Sequence, residues 1–163
     1  MSIQPCVRFV VSLFCLSALG CRVSSPGKLE SALIQWTKHH VTVGGSRDIN
    51  PVHVSNKTVE DGKQIFASYC VVCHGRDGQN TGVPFATNMA PQIPPLNSAV
   101  VQSYSDGQLK WIVENGLRPS GMPASKGILT DEDMWTIVVY LRHLPPAGSL
   151  GEPRAYSGEE YGK

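Results

Sequence analysis

Apolar residues recur at helical spacing in four stretches of the chain. Leu29, Leu33 and Trp36 share one face of residues 28–40 and predict a short amphipathic helix. Residues 58–70 predict a second, with Thr58 as N-cap, Glu60 and Asp61 in the first turn, and Ile65, Phe66 and Tyr69 as its apolar surface. Ser105 and Gln108 form a capping box ahead of Leu109, Ile112 and Val113, and Asn115-Gly116 closes that third helix. The run Ile137-Val138-Val139 would suit a strand, so its ends decide. Thr130 caps, three acids fill the first turn, Arg142 and His143 fill the last, and Pro145 stops it, which predicts a helix over 131–144. The fold class predicted is all-α.

The stretches between these helices divide the chain. Residues 1–20 predict an export signal: Arg8 precedes an apolar run, Phe9 to Leu19, that is shorter than the roughly 20 residues a membrane helix needs. Ala18-Leu19-Gly20-Cys21 resembles the lipobox of bacterial lipoproteins, which implies lipid on Cys21. The resemblance departs from the usual pattern in that Ala18 stands where leucine is expected and Leu19 is displaced by one, so cleavage near Gly20 or a retained anchor stays open. Residues 21–56 are expected to hold an anchor spacer, the short helix and an extended linker, "VTVGGSRDINPVHVSNK". Residues 57–146 form the expected folded domain, and 147–163, rich in Gly, Pro and Glu, a flexible tail.

Charge narrows the partners. Charged residues make up 17% of the chain and the formal net charge is +1, so there is no basic field for nucleic acid, and the expected partners are proteins. Of the five cysteines, Cys6 and Cys15 leave with the signal and Cys21 takes lipid, so only Cys70 and Cys73 remain in the body. No spare thiol is then left to mispair in an oxidising compartment.

Those two cysteines belong to Cys70-Val71-Val72-Cys73-His74. Zinc would need a fourth ligand or a water, with His39, His40 or His53 recruited, and adjacent Cys73 and His74 strain a tetrahedron. A thioredoxin-like site would place the pair at a helix N-terminus after a strand, whereas here it follows a helix. Covalent haem asks for two thiols one turn apart, to add across two vinyl groups, and an adjacent imidazole to reach the iron. The sequence supplies that order, which predicts one haem c with His74 as an axial ligand. For the other axial position, Met134 reads as core filler in the last helix. Met122, between Gly121 and Pro123 in a loop without a helical stripe, is the expected ligand, with Met89 as the alternative. A methionine opposite histidine leaves no vacancy, so the expectation is one-electron transfer and not an enzyme.

Gly62, Phe66 and Cys70 spaced by four before the motif, the prolyl loop "PQIPPL", a Met-Pro loop and "VVYLRHLP" in the last helix together resemble the small single-haem bacterial cytochromes c with His/Met ligation. The resemblance covers roughly residues 57–146. It implies that the first and last helices cross, with Gly62 and Phe66 against Tyr140. It also implies that a carbonyl of Pro94 or Pro95 accepts from His74. Trp111 and Arg118 are candidate haem-propionate contacts, set against loop packing for Trp111 and a solvated charge for Arg118, while His143 caps the last helix. The function expected is electron transfer between membrane or periplasmic redox proteins, on the periplasmic face of a bacterial membrane through a lipid or uncleaved anchor. A haem enzyme or gas sensor with a labile ligand, and a dedicated subunit of a dehydrogenase or oxidase, are the alternatives.

Overall fold

Six α-helices follow one another among the residues that the computed structural model describes, 27–37, 41–45, 47–89, 91–118 and 120–156. They are α1 (Lys28–Thr37), α2 (Asn56–Tyr69), α3 (Val71–His74), α4 (Ala99–Gln102), α5 (Asp106–Asn115) and α6 (Asp131–Leu141). No strand occurs among the described residues, only isolated bridges at Leu117 with Met122 and Lys126 with Leu129, so the all-α expectation holds. The chain divides into two units, Met1–Gln35 and Trp36–Lys163. Most of α1 falls in the first, where Leu29 is exposed. His39 and His40 lie outside the described residues, as do the export signal and Cys21.

The second unit is organised on α6. Every residue from Met134 to Leu141 is buried, the pattern of a helix enclosed on all sides rather than lying on a surface. This explains why Ile137-Val138-Val139 looked strand-like: period carries no information where every face is inside. Met134, Ile137, Tyr140 and Leu141 join Phe66, Val113 and Leu129 in one core cluster. Val138 turns instead to Val43, Val101, Tyr104 and Leu109 in a second.

Helix α2 crosses α6 at Gly62. A Cβ there would stand 2.9 Å from Tyr140 Cβ and closer still to the Thr136 carbonyl, so only glycine lets the backbones approach. One turn on, Phe66 meets Tyr140 with ring centroids 5.3 Å apart, and both side chains are fully buried. Phe66 contributes about 1.5–3 kcal/mol by leaving water, whereas Tyr140 carries in a hydroxyl that is buried without a hydrogen-bond partner, which offsets part of its gain.

Caps were partly anticipated. Ser105 and Gln108 make the expected capping box, as do Thr130 and Asp133, with Gly116 closing α5 at φ 69°. Thr58 is not the N-cap of α2: Ser55 is, and Thr58 completes the box from the third helical position. Helix α6 stops at Leu141 rather than 144, its last turn tightening as Arg142 N–H reaches the Val139 carbonyl and His143 N–H the Tyr140 carbonyl, while the Arg142 side chain bonds Asp106 and the carbonyls of Gln102 and Tyr104. His143 does cap it, Nδ1 lying 2.8 Å from the Val139 carbonyl.

Two regions differ from expectation. The linker is part of the fold: Val43 enters the second core cluster, Gly45 and Gly107 pack backbone to backbone, and the Asn50 amide donates to the Trp135 carbonyl at 3.2 Å. Residues 147–156 are fastened to the domain as well, with Pro153 buried, which corrects the flexible tail for that part; 157–163 lie outside the described residues. Both segments are rich in turn formers, so periodicity was silent while tertiary packing ordered them.

Candidate functional site

Helix α2 ends at Tyr69 and α3 begins directly at Val71, so Cys70 caps the one and opens the other. The Cys73 and His74 amides both donate to the Cys70 carbonyl, at 3.2 and 3.0 Å. That turn sets the two sulfurs one helical turn apart with the imidazole next to the second. Both cysteines are free thiols and half-buried. Burial, with Cys73 alongside as the smaller cause, pushes the Cys70 thiol up to about 12. Burial alone brings His74 down to about 4. The thiol therefore keeps its proton at neutral pH, and the imidazole stays neutral with a lone pair to give.

His74 sits 6.4 Å, ring to ring, from Phe66. Its Nδ1 is buried without a hydrogen-bond partner. Neither the Pro94 nor the Pro95 carbonyl, the expected acceptors, is bonded to it. The prolyl stretch does reach the loop after His74, through Leu96 N–H to the Gly78 carbonyl at 2.8 Å and the Asn80 amide to the Ile93 carbonyl at 2.7 Å. Pro95, however, gives its carbonyl to the Ser98 amide.

The loop from Gly75 to Gly82 is cross-braced. Asn80 N–H returns to the His74 carbonyl at 2.9 Å, with Asn80 in the left-handed region at φ 65°, which asparagine tolerates better than most residues. Asp77 is wholly buried and accepts from the Gln79 amide, the Thr81 hydroxyl and the Gly148 amide. Burial works to raise its pKa, but those hydrogen bonds outweigh it and hold the carboxyl below its ordinary value. Sequence reasoning passed over Asp77. Its signal was the Asp-Gly pair, a turn mark that says nothing of burial.

Met122 lies in the loop after α5, half-buried, its carbonyl accepting from Leu117 N–H at 3.1 Å. A Cβ on Gly121 would stand 3.6 Å from the Met89 methyl, so the Met89 loop reaches the Met122 loop. Met89, the alternative ligand, therefore lies beside the expected one. Met134 is core, as expected. Trp111 packs its indole on Gly44, where a Cβ would lie 2.7 Å from Nε1, which favours loop packing over a propionate contact. Arg118 and His53 are exposed.

These residues fit a haem better than a lone ion. Among the described residues no three His, Cys, Asp or Glu gather closely enough to hold a metal by themselves. Two free thiols and an imidazole whose Nδ1 is buried and unspent are instead the separate attachments a porphyrin needs.

Known proteins agree. Residues 57–141 match the family described as cytochrome C oxidase, cbb3-type, subunit III. Over 84 residues the chain is 31% identical to the thiosulfate dehydrogenase of Stutzerimonas stutzeri (strain A1501), which takes in 51% of this chain and 26% of that protein. The chain thus spans about a quarter of the length of that relative. The family match runs from the first turn of α2 to the end of α6, just over half of the chain, with Cys70, Cys73, His74 and Met122 inside it. With the helices crossing at Gly62 and two thiols and an imidazole on one turn between them, the chain belongs to this family of c-type cytochromes, whose members bind haem c for electron transfer.

Proposed function

We propose that this chain is a one-electron carrier holding a single haem c, with Cys70 and Cys73 as its thioether anchors and His74 and Met122 as the axial ligands. The observation that carries the reading is the α3 turn: two half-buried free thiols and an imidazole whose Nδ1 is buried and unpartnered, presented together. Bound there, haem c supplies a one-electron iron couple, raised in potential by a His/Met ligand pair. The chain's own residues do the rest. Cys70 and Cys73 tether, His74 orients, Phe66 and the core around it keep water out, and the Met122 thioether fills the remaining position against small ligands. The carrier is exported and held at the periplasmic face of a bacterial membrane through Cys21, whose apolar leader and polar spacer support that reading. Among the described residues no helix is long and apolar enough to cross a membrane.

Purified protein, extracted with acidified organic solvent, should keep its haem. Reduced protein should not bind CO promptly. Prompt CO binding would favour the enzyme or sensor instead. A second reading, a cytochrome serving a particular dehydrogenase, draws on the relative named thiosulfate dehydrogenase. Thiosulfate added to the oxidised protein alone should leave it oxidised, and reduction should need a partner enzyme; direct reduction by thiosulfate would make the chain itself an enzyme.

A further inference from the structure

Beyond the family match, the chain comes back to the motif. After α6, Pro145 accepts from the Gln79 side-chain amide at 2.7 Å, and Gly148 N–H donates to the Asp77 carboxylate at 2.6 Å. Pro153 is fully buried. Tyr156 then donates its hydroxyl to the Val72 carbonyl at 2.7 Å and sets its ring edge-on to Phe85, centroids 6.0 Å apart. The loop is shaped for this approach. A Cβ on Gly78 would meet Leu144 Cδ2 at 2.9 Å, and one on Gly82 would meet Glu152 Cβ at 2.6 Å, both glycines having φ near +70°.

The Val72 carbonyl is the telling contact. Helix α3 is four residues long, so its last carbonyls have few partners within the helix. Val71 gives its carbonyl to Gly75 N–H, and the Val72 carbonyl, on the peptide leading into Cys73, is taken up by Tyr156 from 84 residues away. Val72 is 50% exposed and the bond to its carbonyl lies at the surface, at the edge of the site, where water would otherwise compete for it.

We propose that residues 145–156 are a strap that fixes the cysteine turn, with Asp77 as its fastening and Tyr156 as a positioning residue that holds the peptide between Cys70 and Cys73. The strap rests on the reading of those cysteines and His74 as haem anchors. It acts by limiting the freedom of the turn that presents His74 and by keeping water from the loop behind it, both of which bear on reduction potential.

The test uses the haem-loaded protein with three changes: Tyr156→Phe, which removes one hydroxyl and keeps the ring, Asp77→Asn, and truncation after Pro146. Acid-stable haem, reduction potential and amide exchange at Gly148 are measured in each that can host them. All three should keep covalent haem. Gly148 should exchange about tenfold faster in Asp77→Asn. The potential should fall, most on truncation and least in Tyr156→Phe. An unchanged potential in the truncated protein, or a Tyr156→Phe protein matching the parent in both potential and exchange, overturns the strap. Absence of acid-stable haem in the parent overturns the haem reading instead. Should Asp77→Asn fail to fold, Tyr156→Phe and the truncation decide.

Discussion

The turn that carries Cys70, Cys73 and His74 and the loop that carries Met122 are held in different ways. Around the first, side chains reach across the chain: Asp77 to Gly148, Gln79 to Pro145, Asn80 to Ile93 and Tyr156 to Val72. Around the second, the bonds are mostly main-chain and local, Leu117 N–H to Met122, Ser125 N–H to Val113 and Lys126 N–H to Glu114. The difference teaches where tolerance lies. A covalent attachment needs two sulfurs and a nitrogen fixed together, whereas a lone thioether on a flexible side chain adjusts to its target. The braced turn should fail as a unit, and the Met122 loop should change chemistry without unfolding its neighbour.

Removing the anchors tests the braced side most severely. Cys70→Ala with Cys73→Ala should abolish acid-stable haem, read from the absorbance of the extracted pellet; retention would sink the assignment of both. Gly62→Val strikes both regions at once, because each hangs from the α2–α6 crossing. With Thr136 and Tyr140 in the way, it should cost about 3 kcal/mol in denaturant unfolding, and near-neutral behaviour would mean that the crossing yields.

Met122→Ala should let reduced protein bind CO and lower the potential, while thermal unfolding moves little. The Met89 contact at Gly121 sharpens this: if Met122→Ala keeps the methionine-to-iron charge-transfer band, Met89 is the ligand. Asp77→Asn should cost about 1–3 kcal/mol and flatten the acid limb of the stability profile. The sign follows from the lowered pKa: the stabilisation is fully present above about pH 4, the unfolded carboxyl value, and is lost as pH falls through the lower folded value. A parent protein with no acid limb would count against it. Arg118→Ala, on an exposed side chain, should shift stability by less than about 0.5 kcal/mol; a marked change of potential there would restore the propionate contact.

By itself the sequence determined what depends on neighbours along the chain. The helix ends at Ser105, Gly116 and Thr130 were legible because caps act over three or four residues, and the haem motif because its chemistry needs adjacency within one turn. Gly62 and Tyr140 were placed through resemblance, and the crossing explains why that glycine is there. Only the tertiary structure decided which irregular segments are ordered. Val43 and Pro153 lie in stretches of Gly, Pro and polar residues with no period, and both are buried, Val43 among Val101, Tyr104, Leu109 and Val138 far along the chain. Asp77 belongs with them: nothing local distinguishes a solvated turn aspartate from one whose oxygens are taken by Gln79, Thr81 and Gly148. Burying a charge costs heavily unless its partners are already in place, and here one of those partners is supplied only when the chain folds back on itself.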